Sequence, residues 1–177
     1  MKKIAFGIGV CIFIGVAATG CGQSQTVRHG TDTTLAREYS SVGQLISDSS
    51  DVVKGKALSG KSFTYHGVTF TDTYLIVSKE LRGTNIRPGS TIEVLETGGP
   101  NSPVNDDIYP MKDGKQYILF LTPYSRPIPD QQYVIVGSYQ GRFDLESGDN
   151  IASVTNNSPL KNVTSLSKLE ATVTNYQ

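Results

Sequence analysis

Short runs of β-branched and aromatic residues, most of them broken after about four to eight positions by glycine, proline or a polar turn, set the tightest limit on what this chain can fold into. They call for many short strands. The run Tyr117-Ile118-Leu119-Phe120-Leu121, inside a strand expected over Lys115–Leu121, is the best candidate for a central buried strand. Upstream, Asp51–Leu58 reads as a strand with Val52 and Val53 buried and Gly55 allowing a bend or bulge. A hairpin is expected around Ser59-Gly60-Lys61-Ser62, followed by strands over Phe63–Tyr65 and Val68–Lys79 that His66-Gly67 separates. In the longer one Val68, Phe70, Tyr74 and Ile76 share a face, while Leu75 and Val77 add apolar groups to the other. That predicts cover on both sides of its end, as for a strand curling across a closing barrel.

Thr91–Thr97 is the next strand, and a 17-residue loop with three prolines, Gly98 to Gly114, is too long to be only a connector. A second proline-rich loop carries Pro123, Pro127 and Pro129. Gln132–Ser138 and Gly141–Leu145 are expected to pair around Tyr139-Gln140, and Gly148-Asp149-Asn150 turns into Ile151–Val154. Two helices complete the pattern. Ser41-Val42-Gly43-Gln44 has capping-box spacing, with Val42, Leu45 and Ile46 on one face, and Leu166, Leu169 and Val173 recur at helical intervals near the end. The expected fold is mainly β: a small twisted OB-like barrel or sandwich of about six to eight strands, with a short N-terminal helix and a C-terminal helix.

Ahead of this domain Met1-Lys2-Lys3 leads into a 15-residue apolar run, Ile4 to Ala18, and then into Ala18-Thr19-Gly20-Cys21. The run is short of the roughly 20 residues that span a bilayer as a helix, and small residues before a cysteine suit signal cleavage. Ala18-Thr19-Gly20-Cys21 resembles the lipobox of bacterial lipoproteins, with Ala18 where leucine is usual. The resemblance implies a signal peptide over 1–20, a diacylglycerol on the Cys21 thiol, a flexible tether over 21–38 and a single β-rich domain over 39–177, lipid-anchored at the cell membrane and facing outside the cytoplasm. Acyl chains contribute about 0.8 kcal/mol per buried methylene, so a doubly acylated anchor is stable where one chain is not. The tether, polar and without period, has an r.m.s. reach of roughly 20–25 Å.

Removing residues 1–20 takes Lys2 and Lys3 from the 16 basic residues and leaves 14 facing 16 acidic ones. A chain near −2 without a basic cluster argues against nucleic acid as a partner. Cys11 goes with the signal and Cys21 is the lipid site, so no cysteine remains for a disulfide, zinc or nucleophilic role, and no cofactor is expected.

The series Ser50-Asp51-Val52-Val53 with Gly55, Leu81-Arg82-Gly83, Thr97-Gly98-Gly99, Tyr117 to Leu121 and Tyr139-Gln140-Gly141-Arg142-Phe143 is similar to a pattern common in small bacterial exported proteins. The strand order resembles the OB-like barrel of netrin-type and metalloproteinase-inhibitor-type domains, without a shared diagnostic motif. The inhibitors' use of an N-terminal cysteine to reach zinc does not carry over, because Cys21 would be acylated and set apart by the tether.

The catalytic inventory is thin. His29 falls in the tether, and His66 beside Gly67 reads as an exposed turn residue. No Gly-x-Ser-x-Gly elbow accompanies the serines. Asn105-Asp106-Asp107 lacks the spacing of a calcium loop, so no metal site is assigned. The binding candidate is the aromatic and polar group Tyr133, Tyr139, Gln140 and Arg142 with Phe143, because tyrosine and arginine combine contact area with polar handles. Tyr109, Tyr124 and the two long loops extend that surface if they gather at one mouth of the barrel. The expected function is a non-enzymatic binding or accessory module at the membrane, with an envelope protein or a glycan as ligand. An envelope hydrolase using His66 and loop carboxylates is the competing class.

Overall fold

The computed structural model describes residues 37–104, 107–124, 133–154 and 158–176. Cys21 and its lipobox, the tether up to residue 36 with His29, Asn105, Asp106, Pro127 and Pro129 lie outside the described residues. Helix α1 (Val42–Asp48) begins where the Ser41 hydroxyl accepts from the Gln44 amide at 3.3 Å, while the Gln44 side chain reaches back to the Ser40 amide at 2.9 Å. Eight strands follow: β1 (Asp51–Ala57), β2 (Lys61–Tyr65), β3 (Val68–Arg82), β4 (Thr91–Thr97), β5 (Gln116–Pro123), β6 (Tyr133–Ile135), β7 (Arg142–Leu145) and β8 (Ile151–Ser153). A 3₁₀ turn (Pro159–Asn162) and helix α2 (Leu166–Thr174) close the chain.

The sheet runs β1-β3-β4-β6-β5 and returns to β1, so five strands close into a barrel and the sandwich alternative falls away. Counted in chain order the circuit is first, second, third, fifth, fourth, with third and fifth (β4 and β6) parallel and the other pairs antiparallel. This is the Greek-key order of an OB-type barrel. Strand β2 extends β3 as a hairpin, and β7 and β8 continue the sheet beyond β5.

Two apolar cores lie on the two sides of the β1–β5 wall. Val53, Ala57, Leu75, Val77, Val94, Tyr117, Leu119 and Leu121 fill the barrel; Val52, Ile118, Phe120 and Phe143 face outward under α1 and α2, against Leu45, Ile46, Leu169 and Val173. The apolar run of β5 is therefore buried on both faces, as a strand without polar alternation must be. Gly55 sits at a register shift between β1 and β3, where a Cβ would meet the Ile76 carbonyl and Leu75 at 2.7 Å, so only glycine allows the strands to approach.

Three local expectations are corrected. The hairpin is not at Ser59–Ser62, since β1 pairs with β3 and β5 rather than β2; the two-residue turn is His66-Gly67, with φ of 47° and 80°, the hairpin geometry whose twist matches its strands. Strands β6 and β7 do not pair, because β5 lies between them. On β3 the buried face is Thr71, Thr73, Leu75 and Val77, and Tyr74 and Ile76 are 43% and 39% exposed. The threonines turn inward because their hydroxyls serve buried acceptors: Thr71 donates to the Gly98 carbonyl at 2.8 Å and Thr73 to Glu96 at 2.7 Å.

Candidate functional site

The long loop after β4 folds back over one end of the barrel. Gly98 turns it with φ of 98°, Gly99 and Ser102 bridge, Val104 and Ile108 bridge, and the stretch from Tyr109 to Lys112 then runs as a strap. Under the strap Glu96 of β4 and Arg142 of β7 form a buried ion pair, Nη1 to Oε1, at 3.0 Å. Glu96 also accepts from the Met111 amide at 3.0 Å, and Arg142 Nη1 donates to the Tyr109 carbonyl at 2.9 Å. The Lys112 amide donates to the Tyr117 hydroxyl at 2.8 Å, and the Arg142 guanidinium lies 5.7 Å from the Tyr117 ring centre. Side chains from β4, β5 and β7 thus fasten the strap's backbone.

Burial pushes the Glu96 carboxyl up, against the opposing pull of Arg142, Thr73 and the Met111 amide. Burial likewise pushes the Tyr117 phenol up to about 12. Asp144 faces Arg142 Nε at 3.5 Å, too long for a sound hydrogen bond, and is raised by burial against the attraction of Arg142 and Lys115. A cleft of about 180 Å³ opens beside this group, and one of about 460 Å³ lies on the other side of Tyr109 between Ser62, Thr71, Pro100 and Met111. Chemically the ion pair is a plug: Arg142 Nη1 and the Glu96 carboxylate are committed to the strap and to one another, while Arg142 Nε and Asp144 Oδ1 are buried without a hydrogen-bond partner among the described residues.

The opposite end buries a second carboxylate. Asp51 accepts from the Ser50 hydroxyl at 2.7 Å, the Asn85 amide at 3.2 Å and the Asn85 side chain at 3.1 Å. Gly83, at φ of 110°, leaves the room, since a Cβ there would lie 2.3 Å from Asp51 Oδ1. Beside it a cleft of about 510 Å³ is bounded by Tyr74, Asn85, Arg87, Thr91, Glu93 and Tyr133.

The structure divides the four expected binding residues. Arg142 is buried in the plug, which corrects the expectation of an exposed guanidinium at a turn. Gln140, 3% exposed, is also buried, accepting from the Tyr39 amide at 3.1 Å and donating to its carbonyl at 3.4 Å. Both are taken inward because each meets a distant backbone or charge that turn chemistry does not announce. Tyr139 is half-buried beside the turn, and Tyr133 stands apart from them in the cleft with Tyr74. His66 sits at the β2–β3 hairpin tip, exposed, its ring edge-on to Tyr65 at 4.2 Å between centres. Among the described residues no cluster of three or more histidine, cysteine, aspartate or glutamate side chains could hold a metal.

Two residues of this geometry were missed by sequence reasoning. Glu96 had a signal: by alternation it shares a face with Ile92 and Val94, and an acid ending an apolar row needs a buried partner. Tyr74 had none, because periodicity does not say which face of a long strand the helices will leave bare. Compared with known proteins, the chain matches no family model and no curated protein.

Proposed function

We propose that this chain is a lipid-anchored envelope protein, held outside the cytoplasm by an acylated Cys21, whose barrel acts as a non-enzymatic binding or accessory module for an envelope component. The observation that supports this reading is the contrast in commitment between the polar groups at the two ends. Glu96 and Arg142 Nη1 are bound to each other and to the strap within the fold, whereas the open cleft beside Asp51 presents two tyrosines with an arginine and a glutamate at its wall. Aromatic rings with polar tips on a concave surface are recognition chemistry.

Two measurements test it. Labelling of the full chain with a fatty-acid analogue should be lost in Cys21→Ala, and persistent labelling would remove the anchor. The full chain in detergent should co-sediment with cell-envelope material freed of lipid by extraction, and Tyr74→Ala, on an exposed side chain, should reduce that binding without changing the melting temperature. Equal sedimentation of wild type and variant would remove the cleft from the function.

A further inference from the structure

We infer that the cleft between Tyr74 and Tyr133 is a saccharide site, taking a neutral oligosaccharide; this deepens the binding-module function proposed above and rests on it. Tyr74 stands on the outer face of β3 opposite Glu93, its register partner in β4. Tyr133 opens β6 and is half-buried, its phenol pushed up first by burial and then by the field of Asp51. The space they bound, about 510 Å³, falls within the roughly 300–1,000 Å³ of small-molecule sites.

The polar inventory narrows the ligand. Among the described residues, neither phenol, nor the Arg87 guanidinium, nor the Glu93 carboxylate makes a hydrogen bond or ion pair within the fold, so their capacity is left for something else. Arg87 and Glu93 are opposite in sign, and the fields of Asp51 at Tyr133 and of Asp72 beside Glu93 disfavour an anion. What remains is a set of donors (guanidinium, phenols, the Thr91 hydroxyl) and acceptors (carboxylate, phenols) around two aromatic rings. A pyranose answers this combination. Its C–H face is apolar and flat enough to lie on an aromatic ring, and each hydroxyl both donates and accepts around its edge. A purely apolar ligand would leave the arginine and glutamate desolvated without partners, at a cost that its contact with the rings does not offset.

Titration of the full chain, solubilised in a detergent without a sugar headgroup, with chitotetraose and separately with maltotetraose tests the assignment by calorimetry. At least one should bind, Tyr74→Ala should weaken it about tenfold, and Glu93→Gln by a smaller factor. Tyr65→Ala should leave binding unchanged, because its register partner Val68 is six positions from Tyr74 along β3, roughly 20 Å at 3.3 Å per residue. The inference is overturned if neither tetrasaccharide binds at millimolar concentration, or if binding is the same in Tyr74→Ala and Glu93→Gln. Failure here with envelope co-sedimentation still sensitive to Tyr74→Ala removes the saccharide and keeps the binding module. New reducing ends released from a bound tetrasaccharide would instead keep the saccharide and replace the non-enzymatic function.

Discussion

At one end of the barrel a buried glutamate is met by a buried arginine; at the other a buried aspartate is met by a hydroxyl and an amide group. Glu96 brings Arg142 with it, and through Arg142 and Met111 it draws the long loop across the mouth. Asp51 takes only neutral donors from Ser50 and Asn85, so it secures the β3–β4 loop without a counter-charge and leaves the neighbouring cleft open. Specificity can therefore reside at one end and not at the other. A charge pair removed from water is committed to holding structure, while neutral anchoring leaves arginine and glutamate nearby free to face solvent.

Substitution costs most at the charged end. Arg142→Ala leaves Glu96 buried without its counter-ion and frees the strap, and about 3–5 kcal/mol of stability should be lost in chemical denaturation. A loss under 1 kcal/mol would mean that water reaches Glu96. At the neutral end Gly83→Ala forces a Cβ toward the Asp51 carboxylate at a positive φ, for a cost of about 1–3 kcal/mol. Asn85→Ala keeps the backbone donor and loses the side-chain one, so the cost should sit near the lower part of about 1–3 kcal/mol.

A smaller effect distinguishes the ends by pH. Because the folded state raises the Asp144 carboxyl above its unfolded value, the folded protein holds that proton more tightly. Its contribution therefore favours the fold at low pH and is lost as pH rises from the ordinary carboxylate range, about 4, through the raised folded value. Wild type measured against Asp144→Asn should lose relative stability over that interval, and a flat difference would show Asp144 to be solvated. Smallest of all, Tyr74→Ser on the bare face should change stability by no more than about 0.5 kcal/mol, as the residue is 43% exposed. A larger loss would make Tyr74 part of the packing rather than of a site.

Much of the framework is legible along the chain because it depends on neighbours in sequence. The Ser41 cap, the run at Tyr117–Leu121 and the Leu166, Leu169, Val173 spacing each state their own environment: a helix start needs an acceptor, an unbroken apolar strand needs cover on both faces, and an apolar stripe needs a sheet to lie on. Gly55 announces its bend, though not that Leu75 and Ile76 are what it admits.

The pairing of strands and the fate of polar side chains were decided in three dimensions. Residues Tyr133–Leu145 look like a local hairpin, yet β5 separates the two strands, because closing the barrel through a parallel β4–β6 pair pairs more backbone than a lone hairpin does. Arg142 and Glu96 are 46 residues apart, and nothing local to either says that burial will join them. Tyr133 and Tyr74 meet at one cleft only because β3, β4 and β6 lie side by side. Local pattern specifies each element and the face it must bury; which charges meet inside, and which rings remain at a shared opening, follows from closure of the whole sheet.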